Sequence, residues 1–247
     1  MKPVTYRERL IATIAGQLGG IRHVAVGASS PIPAAAAMLV RAARAKDAEP
    51  VCISILGSVK HNFFTNGSAE LFDCAAQGRI DAFFLGGGQI DGQGNINLVG
   101  VGDYPQVKVR WPGSFGSAFL YFQIPRVILF REEHTPRVLV RRVDFISAPG
   151  TSAPNIARPG GPHALLTSRA LFAFDKAKGS FILQSLHPGE TLEEVRSLTG
   201  FDFEVATGLH VTPDPDASTL ELLRGRVLDE LAETYPQFAE SMTADLK

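Results

Sequence analysis

The sequence predicts an α/β fold in which an open, mainly parallel sheet is flanked by helices, with additional short strands in the C-terminal half. Up to Leu85, short apolar segments rich in β-branched residues alternate with helical segments, which is the order typical of a parallel sheet with helices on its faces. Further along the chain, short apolar segments are separated by Pro and Gly. The chain of 247 residues, 45% hydrophobic and 20% charged, suits a single domain, residues 1–247, with a flexible tail from about 236.

The first elements follow from periodicity and turn residues. Leu10, Ile11, Ile14 and Leu18 form one apolar stripe, which predicts a helix over 6–18 that ends at a Gly pair. A β-strand, a turn and an Ala-rich helix follow, and then the order repeats. The predicted segments are strand 23–26, turn 27–31, helix 33–45, strand 51–56, helix 68–77 and strand 81–85.

The C-terminal half has a different pattern. Its short apolar segments have the length of antiparallel strands, and a Pro- and Gly-rich stretch over 148–162 predicts a loop. A last helix over 218–234 has Leu220, Leu223, Val227 and Leu231 on one face. The predicted strands here are 127–130, 138–140, 143–146, 164–167 and 181–186.

Charge and composition exclude several function classes. The 24 Lys and Arg against 25 Asp and Glu leave no cationic surplus for nucleic acid or for an anionic membrane surface. No apolar run approaches the roughly 18 residues of a membrane span. The two cysteines, Cys52 and Cys74, and six scattered histidines show no metal-ligand spacing. We therefore expect a soluble cytoplasmic protein without a metal and with neither nucleic acid nor membrane as a partner.

Three loops follow strand ends, where parallel sheets bind ligands: 27–31, 57–66 and 86–94. The glycine cluster over 86–95 would let backbone N–H groups approach a carbonyl or a phosphate. It is neither a Walker loop nor a good dinucleotide fingerprint, and a simple β-turn with a bulge explains it equally well.

Other candidates have competing structural explanations. Trp111, the only Trp, lies beside a Gly-rich turn but is more typical of packing. His61 could carry a proton or be an ordinary loop histidine. Glu132, Glu133 and His134 are interpreted as a solvated strand end, because adjacent residues of a strand point to opposite faces. No GxSxG elbow is present. The pattern alone indicates an α/β enzyme or enzyme subunit whose glycine loops contact a carbonyl-bearing or anionic ligand.

An ordered set of motifs resembles the β subunit of family I CoA-transferases, the family that includes the β-type chain of 3-oxoacid CoA-transferase, and glutaconate CoA-transferase especially. The similarity runs over nearly the whole chain. It implies the family's open α/β fold, an α2β2 heterotetramer with an active site at the subunit junction, and a strand-borne catalytic Glu that forms a glutamyl-CoA intermediate. The motifs are 70–73, 77–81, 86–97, 113–116 and 141–150.

The sequence departs from the family pattern in the loops of that active site. The matching strand, 51–57, has no carboxylate, and Ser54 stands in the position of the Glu. Ser29 replaces a glycine after the first strand, and Phe115 interrupts the family's Gly-Ser-Gly-Gly. A serine cannot form the anhydride that CoA exchange requires, and no base is adjacent to Ser54 in sequence. Ordinary CoA transfer is therefore not expected.

The retained scaffold with an altered nucleophile position is similar to the β subunits of steroid ring-cleaving CoA hydrolases of cholesterol catabolism. This resemblance implies hydrolytic C–C cleavage of the last steroid ring on a CoA thioester, with the catalytic Glu in the α subunit and none in this chain. CoA would be part of the substrate, an acyl-CoA with a carbocyclic ring, and no separate cofactor is expected. The polar lining would come from Gly88, Gln89, Gly113, Ser114 and Gly116, and the shape of the cavity from Ser54, His61, Trp111 and Phe115.

Two alternatives remain open. The chain could be the β subunit of a CoA-transferase acting on a dicarboxylic or 3-oxo acid, and the nearest carboxylates after the strand are then Glu70 and Asp73. It could instead be a non-catalytic assembly protein that stabilises its α partner.

Overall fold

The computed structural model describes residues 2–45 and 50–246. They divide into two units. The first unit comprises Met1–Cys74, Arg79–Phe84 and Pro213–Lys247, and the second comprises Ala75–Gly78 and Leu85–Thr212. The single-domain assignment stays a prediction.

The elements, in chain order, are α1 (Tyr6–Gly16), β1 (His23–Val26), α2 (Pro31–Ala43), β2 (Cys52–Ile55), α3 (Gly67–Ala76), β3 (Ala82–Leu85), β4 (Gln89–Ile90), β5 (Ile96–Asn97), β6 (Gly100–Val101), β7 (Val109–Arg110), α4 (Ser117–Gln123), β8 (Arg126–Arg131), β9 (Pro162–Thr167), β10 (Ala170–Asp175), β11 (Ser180–Leu186), α5 (Leu192–Leu198), β12 (Glu204–Val211), α6 (Ala217–Leu222), a π-helical segment (Leu223–Val227), α7 (Leu228–Leu231) and α8 (Pro236–Asp245).

The first unit is built on parallel strands in the order β2-β1-β3. Helix α1 begins at a capping box, in which Thr5 and Glu8 satisfy each other's backbone N–H groups. Helix α2 begins with Pro31 and buries a run of four alanines, 34–37. Because alanine adds little bulk, α1 and the first strands can approach α2 closely.

The second unit has strands β8 to β12 in sequence order. Strands β8 and β9 are parallel, β9, β10 and β11 are antiparallel, and β11 and β12 are parallel again. Phenylalanine rings pack edge-on in its core, as between Phe172 and Phe181. Two small antiparallel pairs, β4-β5 and β6-β7, precede β8.

The predicted fold class, an α/β protein with a mainly parallel sheet and additional short strands, is confirmed. Segments 138–140 and 143–146 do not form named strands. The first of them makes only an isolated parallel bridge to Ile90 of β4, through the carbonyl of Val138 and the N–H of Val140. Strands β10 and β12 and the short helices α4 and α5 lie outside the predicted elements. The predicted helix 218–234 is interrupted by the π-helical segment, where Gly225 has non-helical backbone angles.

The segment from about residue 236, expected to be a flexible tail, is helical in the structure. That segment forms helix α8, which starts at a proline and buries Ala239 and Met242. These two residues are three apart, so they share one face of the helix.

Within residues 2–45 and 50–246, no helix combines the length and the apolar character needed to cross a membrane.

Candidate functional site

A cavity of about 470 Å³ lies in the second unit, directly after β3. This volume is in the usual range for small-molecule sites. Its floor is the glycine loop 86–88, its walls are mainly apolar, and its rim carries charge. The lining residues are Gly86, Gly87, Gly88, Leu98, Val101, Val109, Trp111, Pro112, Gly113, Arg131, Glu133, Arg137 and Val138.

The glycine floor is shaped by close packing against Trp111. A Cβ on Gly88 would overlap the indole ring of Trp111, and a Cβ on Gly87 would come within 2.6 Å of the Ile96 side chain. The Gly88 N–H donates to the Asn97 carbonyl at 2.9 Å. The missing side chains therefore let the indole ring of the only Trp of the chain pack closely against the loop.

A buried hydrogen-bonded frame holds this loop from below. The side-chain oxygen of Gln89 accepts from the Asn97 amide at 2.7 Å and from the Asp144 N–H at 2.9 Å, while its nitrogen donates to Asp144 at 3.2 Å. Gln89 is thus committed to the frame and does not line the cavity. A buried amide must satisfy its hydrogen bonds locally, and the contact of Gln89 with substrate stays a prediction.

The loop 113–116 contributes to the site only in part. Gly113 lines the cavity and has a φ of 114°, a conformation that side chains other than glycine rarely adopt. The Ser114 carbonyl accepts from the N–H and the hydroxyl of Ser117, and Gly116, with a φ of 68°, precedes α4. Phe115 is 83% exposed and does not line the cavity.

The charged rim comes from the end of β8 and the turn after it. Glu133 receives Arg137 on both carboxylate oxygens, with nitrogen–oxygen distances of 2.8 Å. Arg131 approaches Glu133 only to 3.5 Å. The hydrogen bonds from Arg137 and Thr135 and the nearby positive charges lower the pKa of Glu133, although burial opposes the shift. Glu132 is exposed and Glu133 is half-buried, whereas His134 is buried, so the interpretation of a solvated strand end is wrong for His134 only.

The neighbouring His134 points away from the cavity into the core. Its ring nitrogens lie 2.8 Å from the Thr167 hydroxyl and 2.9 Å from the Thr199 hydroxyl. Burial lowers the pKa of His134 to about 4, so the ring is neutral at pH 7. Glu133 thus lines the cavity, whereas the neighbouring His134 lies in the core.

Ser54 lies in the first unit, on β2, and is fully buried. Its hydroxyl is 2.8 Å from Nε2 of His23 on β1. Nδ1 of His23 lies 3.1 Å from the Arg79 carbonyl, which can only accept, so Nδ1 carries the proton and Nε2 accepts from Ser54. Burial lowers the pKa of His23, which keeps the ring neutral.

The base that is missing beside Ser54 in sequence is thus supplied by the adjacent strand. Ala25 is the register partner of Ser54, and His23 lies two residues earlier on the same face. A serine with a neutral imidazole resembles a nucleophilic pair. The hydroxyl is nevertheless sealed from solvent, so the geometry is that of a satisfied core hydrogen bond.

His61 also belongs to the first unit, on the loop after β2. The backbone N–H of His61 donates to the Ser58 hydroxyl at 2.9 Å, and its ring Nδ1 lies 3.5 Å from an Arg41 nitrogen. Burial and then the Arg41 cation lower the pKa of His61. The same loop is held by Glu233, which accepts from the Ser58 hydroxyl at 2.7 Å and from the Val59 N–H at 2.8 Å.

Of the predicted site residues, the structure brings Gly88, Trp111 and Gly113 together around one cavity. It adds Arg131, Glu133 and Arg137, which pattern reading did not select. Arg131 is the last residue of β8, Glu133 lies two residues further on, and Arg137 follows Glu133 by four residues. This spacing was the feature of the sequence that could have identified the three residues. Contact of any of these residues with substrate stays a prediction.

Comparison with known proteins gives a consistent set of relatives. The coenzyme A transferase family model matches residues 9–198. The chain is 36% identical over 165 residues to the β-type chain of the 3-oxoadipate CoA-transferase of Pseudomonas knackmussii, covering 64% of this chain and 63% of that protein. It is 30% identical over 164 residues to the IpdB chain of the cholesterol ring-cleaving hydrolase of Rhodococcus jostii, covering 65% and 64%.

The fold is shared with a solved structure. The crystal structure of Rhodococcus jostii RHA1 IpdAB superposes with a TM-score of 0.76 at 24% identity, covering 91% of this chain and 94% of the other. In the sequence alignments, by contrast, the chain covers slightly less than two thirds of each curated relative's length.

Proposed function

We propose, on the premise that this chain belongs to the coenzyme A transferase family, that it is the β subunit of a heteromeric hydrolase acting on a CoA thioester. The acyl group would carry the last steroid ring, which the enzyme opens by C–C bond hydrolysis. The catalytic Glu would reside in an α-type partner, in an α2β2 complex. The identity to a chain of a cholesterol ring-cleaving hydrolase supports this choice within the family.

The observation that carries the proposal is the state of Ser54. Family transferases need an ionised carboxylate that attacks the thioester. Here the matching strand offers a buried hydroxyl that is committed to His23. The carboxylate that lines the cavity, Glu133, is held on both oxygens by Arg137, which makes it a poor nucleophile. A reaction in which the partner activates water requires neither group.

The reaction can be written with all atoms balanced. The partner's Glu removes a proton from water, and the oxygen adds to the ring ketone. The tetrahedral intermediate then breaks the ring C–C bond, leaving a carboxylic acid and an enolate that the thioester carbonyl stabilises, and the enolate takes up a proton. CoA remains attached throughout. In this chain, the apolar wall with Trp111 would hold the ring and exclude water from it.

The runner-up is the β subunit of a CoA-transferase acting on a dicarboxylic or 3-oxo acid. The observation that favours it is the 36% identity to the β-type chain of a 3-oxoadipate CoA-transferase.

The test is turnover by the assembled complex. The chain would be co-expressed with an α-type CoA-transferase chain and given a CoA thioester bearing a cyclic ketone in isotopically labelled water. We expect a ring-opened thioester that is heavier by one water, has labelled oxygen in the new carboxylate and forms only when both chains are present.

Other outcomes separate the alternatives. Movement of CoA to an added acid, with a hydroxylamine-sensitive glutamyl-CoA on this chain, would contradict hydrolysis and favour the transferase. If Trp111→Ala and Phe115→Ala leave turnover unchanged in an intact complex, a non-catalytic assembly role gains support.

A further inference from the structure

Arg131 is only partly compensated at the cavity rim. Its ion pair to Glu133 has a nitrogen–oxygen distance of 3.5 Å, well beyond the roughly 2.8 Å of a strong charge-assisted hydrogen bond. Glu133 is instead bound on both oxygens by Arg137. The carboxylate that could neutralise Arg131 is therefore already in use.

Arg131 also does not use all of its hydrogen-bond donors. Its Nε is buried and finds no hydrogen-bond partner among the described residues, while its side chain as a whole is 42% exposed. Guanidinium groups have five N–H donors, and a buried donor without an acceptor costs free energy. Because this nitrogen has almost no accessible surface, a ligand in the cavity would contact Arg131 through the exposed part of its side chain rather than through Nε.

The remainder of the cavity selects the chemistry of that ligand. The charged lining residues are Arg131, Glu133 and Arg137, two cations and one anion, so the rim has a net charge of +1. The other walls include Leu98, Val109 and Trp111. A positive rim on an apolar cavity fits an anion attached to an apolar body, and the flat, forked guanidinium matches the geometry of a carboxylate.

We infer that Arg131 is a binding residue that recognises a carboxylate on the apolar acyl group occupying this cavity. The inference rests on the proposed function only for the identity of the acyl group. The carboxylate that Arg131 binds has two possible origins. It is either already present on the substrate or formed when the ring is opened.

The experiment uses the fluorescence of Trp111, the only Trp of the chain and part of the cavity wall. The full chain would be titrated with cyclohexanecarboxylate and, separately, with neutral cyclohexanecarboxamide of nearly the same shape. We expect a saturable change with the carboxylate, binding at least about tenfold weaker with the amide, and weakening of carboxylate binding by added salt. Equal binding of the two probes, or no binding of either, overturns the inference.

Substitutions localise the effect. Arg131→Gln should weaken carboxylate binding about tenfold or more and leave amide binding unchanged, whereas Arg131→Lys, which keeps the charge but loses the fork, should fall between the two. The matched control is Arg142→Gln, at an exposed arginine that does not line this cavity. If Arg131→Gln does not fold, Arg131→Lys still decides: unaltered carboxylate binding in that folded variant, with no salt dependence, overturns the inference.

Kinetics of the complex distinguish the two carboxylate sources. Arg131→Lys should raise KM if the substrate carries the carboxylate and should weaken inhibition by the ring-opened product if hydrolysis creates it. The probe titration contains neither partner nor turnover. Failure of ring opening would therefore contradict the proposed hydrolase without affecting the assignment of Arg131. Failure of the titration would contradict the assignment of Arg131 without affecting the proposed hydrolase.

Discussion

Contact between Gly88 and Trp111 determines the shape of the cavity at the level of single residues. The indole ring occupies the space that a Cβ on Gly88 would need. Gly88 and Trp111 both line the cavity. Trp111 can occupy its position only because residue 88 is a glycine, which has no Cβ. This is also why the glycine cluster is ambiguous in the sequence, since a simple turn would have the same composition.

We expect Gly88→Ala to displace the Trp111 ring and to lower the free energy of unfolding by about 1–3 kcal/mol, as overpacked sites do. The emission spectrum of the single Trp should shift, and the affinity for an apolar ligand should fall. Urea unfolding followed by fluorescence measures both effects. The control is Gly208→Ala, whose new methyl group meets no atom of the described residues within 4 Å. An unchanged Gly88→Ala spectrum would show that the ring does not rest on Gly88.

A second residue-level feature, Ser54 with His23, shows what pairing across strands adds. The two residues are far apart in sequence, and only the register of β1 and β2 makes them neighbours. Resemblance to the family predicts that Ser54 stands in the position of the catalytic Glu, and this stays a prediction. The sequence could not show that the Ser54 hydroxyl is buried and hydrogen-bonded to an imidazole.

At the level of elements, a buried polar network joins the strand ends of the second unit. His134, after β8, bridges Thr167 at the end of β9 and Thr199 at the end of α5. His187 lies nearby, with Nδ1 2.9 Å from the Thr212 hydroxyl and Nε2 3.1 Å from the Thr167 carbonyl. These elements depend on a neutral His134, because both of its partners are uncharged hydroxyls in the core.

The stability of the protein should therefore fall in mild acid. The ordinary pKa of 6.5 applies to His134 in the unfolded chain, whereas burial lowers the folded pKa to about 4. Between these values the unfolded chain binds a proton that the folded protein does not, so the free energy of unfolding falls as the pH drops from 6.5 toward 4. Urea unfolding at several pH values measures the slope.

The histidine responsible can be identified by substitution. His134→Gln should reduce this slope, whereas His210→Gln, at an exposed position on β12, should leave it unchanged. An equal slope in wild type and His134→Gln would assign the acid sensitivity to other groups.

At the level of the whole molecule, an ion pair in the first unit joins the N-terminal and C-terminal parts of the chain. Glu8 of α1 is buried and receives Arg224 on both oxygens, at 2.6 Å and 3.0 Å. Arg224 belongs to the π-helical segment. The ion pair thus links the first helix to the C-terminal helices, and removing one partner would leave a charge without compensation in a largely buried place.

We expect Glu8→Gln to lower the free energy of unfolding by about 2–3 kcal/mol, somewhat below the roughly 3–5 kcal/mol typical of fully buried pairs because Arg224 is partly exposed. Glutamine still completes the capping box with Thr5, so the substitution isolates the ion pair. Glu194→Gln is the matched control, since Glu194 forms the equivalent capping box with Thr191 at an exposed position. Equal effects of the two substitutions, measured by thermal unfolding, would contradict the role of the ion pair.

The sequence by itself determined the fold class, most of the strands and helices of the first unit, and the family, because periodicity and loop motifs are local properties of the chain. It also selected Gly88, Trp111 and Gly113, which the structure brings together. It did not select Glu133 and Arg137, although their spacing of four residues was visible. It could not show that Gln89 is held in the hydrogen-bonded frame under the glycine loop, since only folding brings Asn97 and Asp144 to it.

Only the tertiary structure decided which of the candidate groups are free to act. Burial and hydrogen bonding commit Ser54 to His23 and Gln89 to Asn97 and Asp144, whereas Arg131 remains undercompensated beside an apolar cavity. The physical reason is that a side chain's availability depends on solvent exclusion and on partners supplied by other strands and loops. Those partners are set by register and packing, which local sequence patterns do not encode.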